Sequence, residues 1–174
     1  MTLVENRIAA ICMHTNLDAA AGGVNDTLAH VLGLQNVSLI DDGGQGILRR
    51  GTLPQEMMPA DFAAYVGQRL GCHGVRYSEG TRRVHTVAVC GGAGGGHDDA
   101  MAALASGCDA YVTAEVKYPV SLELAYAGLT VVDAGHFHTE NPVLRTLHAL
   151  LAKRFPDALF TVSAHEDPMK FQIF

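Results

Sequence analysis

Three features of the sequence predict an α/β fold, a layered sandwich whose mixed, largely parallel sheet is flanked by helices. Short β-branched runs alternate with amphipathic stretches along the whole chain, the pattern of strands and helices taken in turn. Several of the 19 glycines fall where strand-like runs end, as tight strand-to-helix turns require. Two apolar runs lead into clusters of histidine and carboxylate, and open α/β sheets bind ligands outside the carboxyl ends of their strands.

Taken in order, residues 8–13 are an apolar run read as the first strand. After a loop at 14–24, Asn25 or Asp26 is placed to cap a short helix through Leu28, Val31 and Leu32, which Gly33 ends. A strand follows at 37–40. Residues 41–55, with four glycines, a proline and Arg49-Arg50, read as a mobile hairpin or loop with one strand at 47–48. Pro59 starts a helix that aligns Phe62, Ala63, Val66 and Leu70 on one face and closes at Gly71. A short strand at 75–77 and a turn at 78–80 precede a strand at 84–90, whose alternation predicts one half-buried face. The six residues Gly91-Gly-Ala-Gly-Gly-Gly96 join it to a helix at 97–106. Strands at 109–113 and 129–133 flank a helix through Leu122, Leu124, Ala125 and Tyr126. A helix from Pro142 carries Leu144, Leu147, Leu150 and Leu151 as its buried stripe, and 158–162 is a last strand.

Composition narrows the function classes. At 174 residues the chain fits one domain, residues 1–174. Its formal net charge is −6 and its Lys and Arg form no run, so neither nucleic acid nor an anionic membrane surface is an expected partner. No apolar stretch approaches the roughly 18 residues of a membrane span, and no basic leader precedes an apolar core, so a cytoplasmic protein is expected. The four cysteines, Cys12, Cys72, Cys90 and Cys108, include no C-x-x-C pair; they are expected to be reduced, small core residues. The glycine cluster lacks the phosphate-loop signature, and its G-x-G-x-x-G alignment ends on His97, so a tight turn or substrate-facing loop is expected before a dinucleotide site.

The chemistry lies in two pairs with the same spacing. His14 is followed four residues later by Asp18, and His136 four residues later by Glu140. On a helix or tight turn that spacing brings imidazole and carboxylate within reach of one ion. Nitrogen and oxygen donors without thiolate suit zinc, manganese, iron or cobalt rather than calcium. Glu140 is the candidate for a bridge between two ions about 3.5–4 Å apart. His138 is expected in a solvent-facing or supporting place, His97 beside the glycine loop could meet substrate, and His30, His73, His85, His148 and His165 carry only structural expectations.

These residues resemble the Nif-three-like dinuclear metal-centre proteins, some of which go by the name GTP cyclohydrolase 1 type 2 homologue. The matching motifs are His14-Thr-Asn-Leu-Asp18 with Gly22-Gly-Val-Asn-Asp26, Val87-Ala-Val-Cys-Gly-Gly-Ala-Gly94, Asp109-Ala-Tyr-Val-Thr113 and Asp133-Ala-Gly-His-Phe-His-Thr-Glu140. The resemblance implies Asp18 as a ligand of one ion, His136 of the other, Glu140 as a ligand able to contact both, and His14 as a ligand or proton-transfer group. It further implies an α/β fold, a small-molecule substrate, ring-like hexamers and hydrolysis by metal-activated water. Two departures stand out. The family's site also uses a His-His pair upstream of His14, and no such dipeptide occurs here, so a carboxy-terminal portion of a longer protein or a variant with a thinned site is expected. In Thr113-Ala-Glu-Val-Lys-Tyr-Pro119 members often have Gly in place of Ala114 and His in place of Pro119. A metal-dependent hydrolase is therefore the first functional expectation, and a non-catalytic metal-binding or interaction module the second.

Overall fold

The computed structural model describes residues 2–40, 46–170 and 172. It contains one six-stranded sheet built from β1 (Gln35–Leu39), β2 (Arg49–Met57), β3 (Arg76–Ser78), β4 (Val84–Val89), β5 (Ala110–Thr113) and β6 (Thr130–Asp133). Their spatial order is β1-β2-β4-β5-β6-β3. The centre is parallel, with Ala88 opposite Tyr111 and Val112 opposite Val132, while β2 on β4, β1 on β2 and β3 on β6 are antiparallel. The mixed α/β architecture is the one the alternating pattern predicts.

The helices are α1 (Thr2–Glu5), α2 (Thr15–Ala19), α3 (Val24–Val31), α4 (Pro59–Leu70), α5 (His97–Ala105), α6 (Tyr118–Tyr126), α7 (His136–Glu140) and α8 (Val143–Arg154). The sheet separates two cores. Val87, Val89, Ala110, Val112 and Val132 point to a core closed by Leu28 and Leu32 and by Phe62 and Val66. Ala88, Cys90, Tyr111 and Val131 point the other way, onto Ala100, Ala103, Val120 and Leu124. Successive strand residues alternate faces, so a strand feeding both cores is apolar at nearly every position. That is why β4 is buried on both faces rather than half-buried as its alternation predicts. Phe62, Ala63 and Val66 face the core as expected, and Phe62, fully buried, contributes about 1.5–3 kcal/mol of transfer free energy.

Several expectations fail, each for a physical reason. Residues 8–13 form no strand: they are exposed coil, with Ile8 55% and Ile11 84% accessible and Cys12 exposed rather than core. A β-branched run becomes a strand only with a ladder partner, and no strand pairs with this one among the described residues. Residues 158–162 are likewise coil, and Leu159 is 91% exposed. Where a mobile loop was expected at 41–55, residues 49–57 are instead the long strand β2; positions 41–45 lie outside the described residues. Pro54 is tolerated there because the pairing of β2 with β4 shifts register between Thr52 and Met57. Gly23, not Asn25 or Asp26, is the N-cap of α3. The leucine stripe of α8 is only half covered, with Leu150 exposed.

Candidate functional site

Four side chains singled out from the sequence come together. His14, Asp18, His136 and Glu140 line a single cleft of about 500 Å³. Two of them arrive as expected from the carboxyl end of a strand: β6 ends at Asp133, and Gly135, at φ 84°, starts the five-residue α7 that presents His136 and Glu140 one turn apart. His14 is instead the N-cap of α2 and Asp18 lies within that helix, which follows coil rather than a strand.

The three loops of the site are sewn together by two buried polar side chains. Asn25, wholly buried, accepts from the Gly91 N–H through Oδ1 (2.7 Å) and donates from Nδ2 to the Asp18 carbonyl (3.2 Å). Thr139, also buried, accepts the Gly92 N–H at 3.0 Å. Gly92 has φ 69°, and a Cβ built there would run into the Glu140 carboxylate and lie 3.2 Å from His136 Nε2. The glycine cluster is thus a tight turn whose missing side chain leaves room for the two candidate ligands. Arg49, buried on β2, braces the opposite side by pairing with Asp26 and donating to the Ala19 carbonyl.

Electrostatics converge on the same cleft. Burial raises the Asp18 carboxyl above its ordinary value, while the imidazoles of His14 and His136 pull it back. His136 Nδ1 lies 2.6 Å from Glu115 Oε1 and its Nε2 3.0 Å from Glu140 Oε1. The Glu115 contact raises the His136 pKa most strongly, burial opposes it, and Glu140 adds to the rise. Among the described residues, no three His, Cys, Asp or Glu side chains form a ready cage for a metal ion. Asp18 and Glu140 both line the cleft.

Other histidines sort clearly. His138 is not a lining residue of the cleft; its Nε2 lies 3.6 Å from Asp167, which is one. His97 lies against Asp98 and Glu123 and is not a lining residue. His165, expected to be merely structural, lines the cleft with its ring edge-on to Phe137. Sequence reasoning missed Glu115 altogether and took Asn25 for a cap. The signal for Asn25 was its place just after Gly22-Gly23 in the motif; for Glu115 there was none beyond its position at the carboxyl end of β5.

A parallel-centred sheet that delivers one imidazole and carboxylate pair to a loop-built cleft, where a second pair from α2 meets it, defines a class: an α/β protein with a cleft at its strand ends. The sequence profile of the Duf34/NIF3 (NGG1p interacting factor 3) family matches residues 1–168, and the chain belongs to that family. A GTP cyclohydrolase 1 type 2 homolog of Clostridium perfringens is 31% identical over 178 residues, covering 98% of this chain and 67% of the relative. One of Streptomyces coelicolor is 37% identical over 151 residues, covering 81% of this chain and 52% of the relative. The chain spans about half to two thirds of the length of these relatives. Among solved structures, a Staphylococcus aureus hypothetical protein aligns with TM-score 0.83 at 24% identity, covering 98% of this chain and 71% of that one, a likeness of fold alone. A Thermus thermophilus protein aligns with TM-score 0.70 at 31% identity, covering 89% and 60%.

Proposed function

We propose that the cleft binds a divalent metal ion through Asp18, His136 and Glu140, with His14 at its edge as a further ligand or proton carrier, and that the protein is a metal-dependent hydrolase of a small substrate such as a nucleotide or phosphoester. The observation that carries this reading is His136, an imidazole held between two carboxylates on the wall of a cleft that Asp18 also lines. A carboxylate on the far nitrogen of a histidine is the usual orienting partner of a metal ligand, and Gly92 keeps the space beside Glu140 and His136 free of side chain. The donor set therefore fits zinc, manganese, iron or cobalt. When bound, such an ion supplies Lewis-acid chemistry and activates water near neutral pH. His14, whose Nδ1 meets the Thr15 hydroxyl at 3.1 Å, would move the proton through Nε2. The names of the relatives, GTP cyclohydrolase 1 type 2 homolog, favour a nucleotide-like substrate. A cytoplasmic homo-oligomer belongs to the same proposal, on the resemblance to the family; among the described residues no helix is long and apolar enough to cross a membrane.

Metal content and turnover of ester, phosphoester and nucleotide panels, compared between wild type and Glu140→Gln, test the reading. Reduced metal and reduced turnover in the variant are expected, and equal metal in both would reject Glu140 as a ligand. Metal uptake with no turnover on any panel favours the second reading, a non-catalytic binding module.

The pH dependence has a defined sign. With its pKa raised above the ordinary 6.5, His136 contributes stability to the metal-free protein that is fully present below pH 6.5 and lost as pH rises through the folded value. The contribution is small, because both partners are about half exposed. Metal affinity runs the opposite way, since the ion needs the Nε2 lone pair. Zn2+ affinity should therefore start to fall above pH 6.5 as the solution is acidified. A flat titration on both sides of that value would remove His136 from the ligand set.

A further inference from the structure

Glu115 has a positive φ, 57°, a conformation that a residue with a Cβ adopts only when its surroundings impose it. The surroundings are identifiable. Gly95 packs so closely on this backbone that a Cβ there would lie 2.5 Å from the Glu115 carbonyl oxygen and 2.6 Å from that of Ala114. On the other side the Val116 N–H donates to Asp133 Oδ2 at 3.2 Å, and Asp133 is itself held by the Gly135 N–H and by Arg76. The peptides flanking Glu115 are thus clamped, and the bend turns its carboxylate onto Nδ1 of His136.

That contact does little for folding, because the side chains of Glu115 and His136 are 58% and 46% exposed and water screens them. Its effect falls on the imidazole. A neutral imidazole has one N–H and one lone pair, yet His136 meets a carboxylate at each nitrogen. Both contacts are satisfied when the ring carries two protons, or when a cation replaces the second proton between Nε2 and Glu140. The shorter contact, at Glu115, keeps the first proton on Nδ1.

We infer that Glu115 is the positioning residue of the site: its left-handed bend delivers the carboxylate that fixes His136 as the Nδ1–H tautomer, leaving the Nε2 lone pair toward Glu140 and the cleft. The purpose of this device rests on the metal reading above; the tautomer itself is a property of the metal-free protein. The test uses wild type, Glu115→Gly, which removes the carboxylate and relieves the backbone, and Glu115→Gln, which keeps an acceptor of the same reach. Long-range 1H–15N spectra of the metal-free proteins at alkaline pH report the His136 tautomer, and Zn2+ titration against a chromophoric chelator reports affinity. Glu115→Gly should lose the Nδ1–H signature and bind Zn2+ about 10- to 100-fold more weakly, and Glu115→Gln should recover the signature. An unchanged tautomer in Glu115→Gly overturns the inference, as does unchanged Zn2+ affinity where the wild type binds. A wild type that takes up no Zn2+ defeats the metal reading instead, and the tautomer comparison then decides the role of Glu115 alone.

Discussion

Gly92→Ala is expected to keep the fold and lose most of the affinity for Zn2+. Its φ of 69° costs a residue with a Cβ about 1–2 kcal/mol, a fall in Tm of roughly 2–8 °C for a chain of this size. The new methyl would also occupy the place of the Glu140 carboxylate, 3.1 Å from its Cδ and 3.2 Å from His136 Nε2. Because the end of Glu140 is flexible, the side chain swings aside while the backbone holds. Affinity should therefore drop at least about 10-fold, out of proportion to the loss of stability. Calorimetric unfolding and Zn2+ titration of the same sample separate the two effects. A normal affinity at a lowered Tm would show that Glu140 does not bind the ion from its present position.

Asn25→Ala should give the opposite balance, with stability as the larger casualty. The buried amide joins the Gly91 N–H to the Asp18 carbonyl, and its removal leaves one donor and one acceptor without a partner in the interior. At about 1–3 kcal/mol for each such group, a loss of about 2–6 kcal/mol and a fall in Tm of roughly 4–24 °C are expected. Asn25→Asp keeps the acceptor for Gly91 but sets a carboxylate against the Asp18 carbonyl, so it should not restore stability. Thermal unfolding that is unchanged in Asn25→Ala would mean that water replaces the amide on both sides.

What could be read from the sequence was whatever depends on neighbours along the chain. The helix opened by Pro59 and closed by Gly71, the apolar strands β4, β5 and β6, and the four-residue spacing within His14/Asp18 and His136/Glu140 are local patterns, and the structure shows them. Pairing across the sheet was not legible. Residues 8–13 carry a strand-like composition but no ladder, while β2, polar and interrupted by Pro54, is a strand because β1 and β4 pair with both its edges. Glu115 eluded the reading for a related reason. Its contact with His136 crosses from the end of one strand to the end of the next, and its positive φ is imposed by packing from Gly95 and Asp133.

The seams made by Asn25 and Thr139 bear on how the proposed site would take up and release an ion. Since amide and hydroxyl groups already hold the loops in register, the chain loses its ordering entropy during folding, not at capture. An incoming ion would have to shed hydration water and displace a proton, but would not have to recruit a disordered segment. Turnover of the bound species would then follow supply in the surroundings and ligand departure, and a protein emptied by a chelator would stay folded and ready to refill.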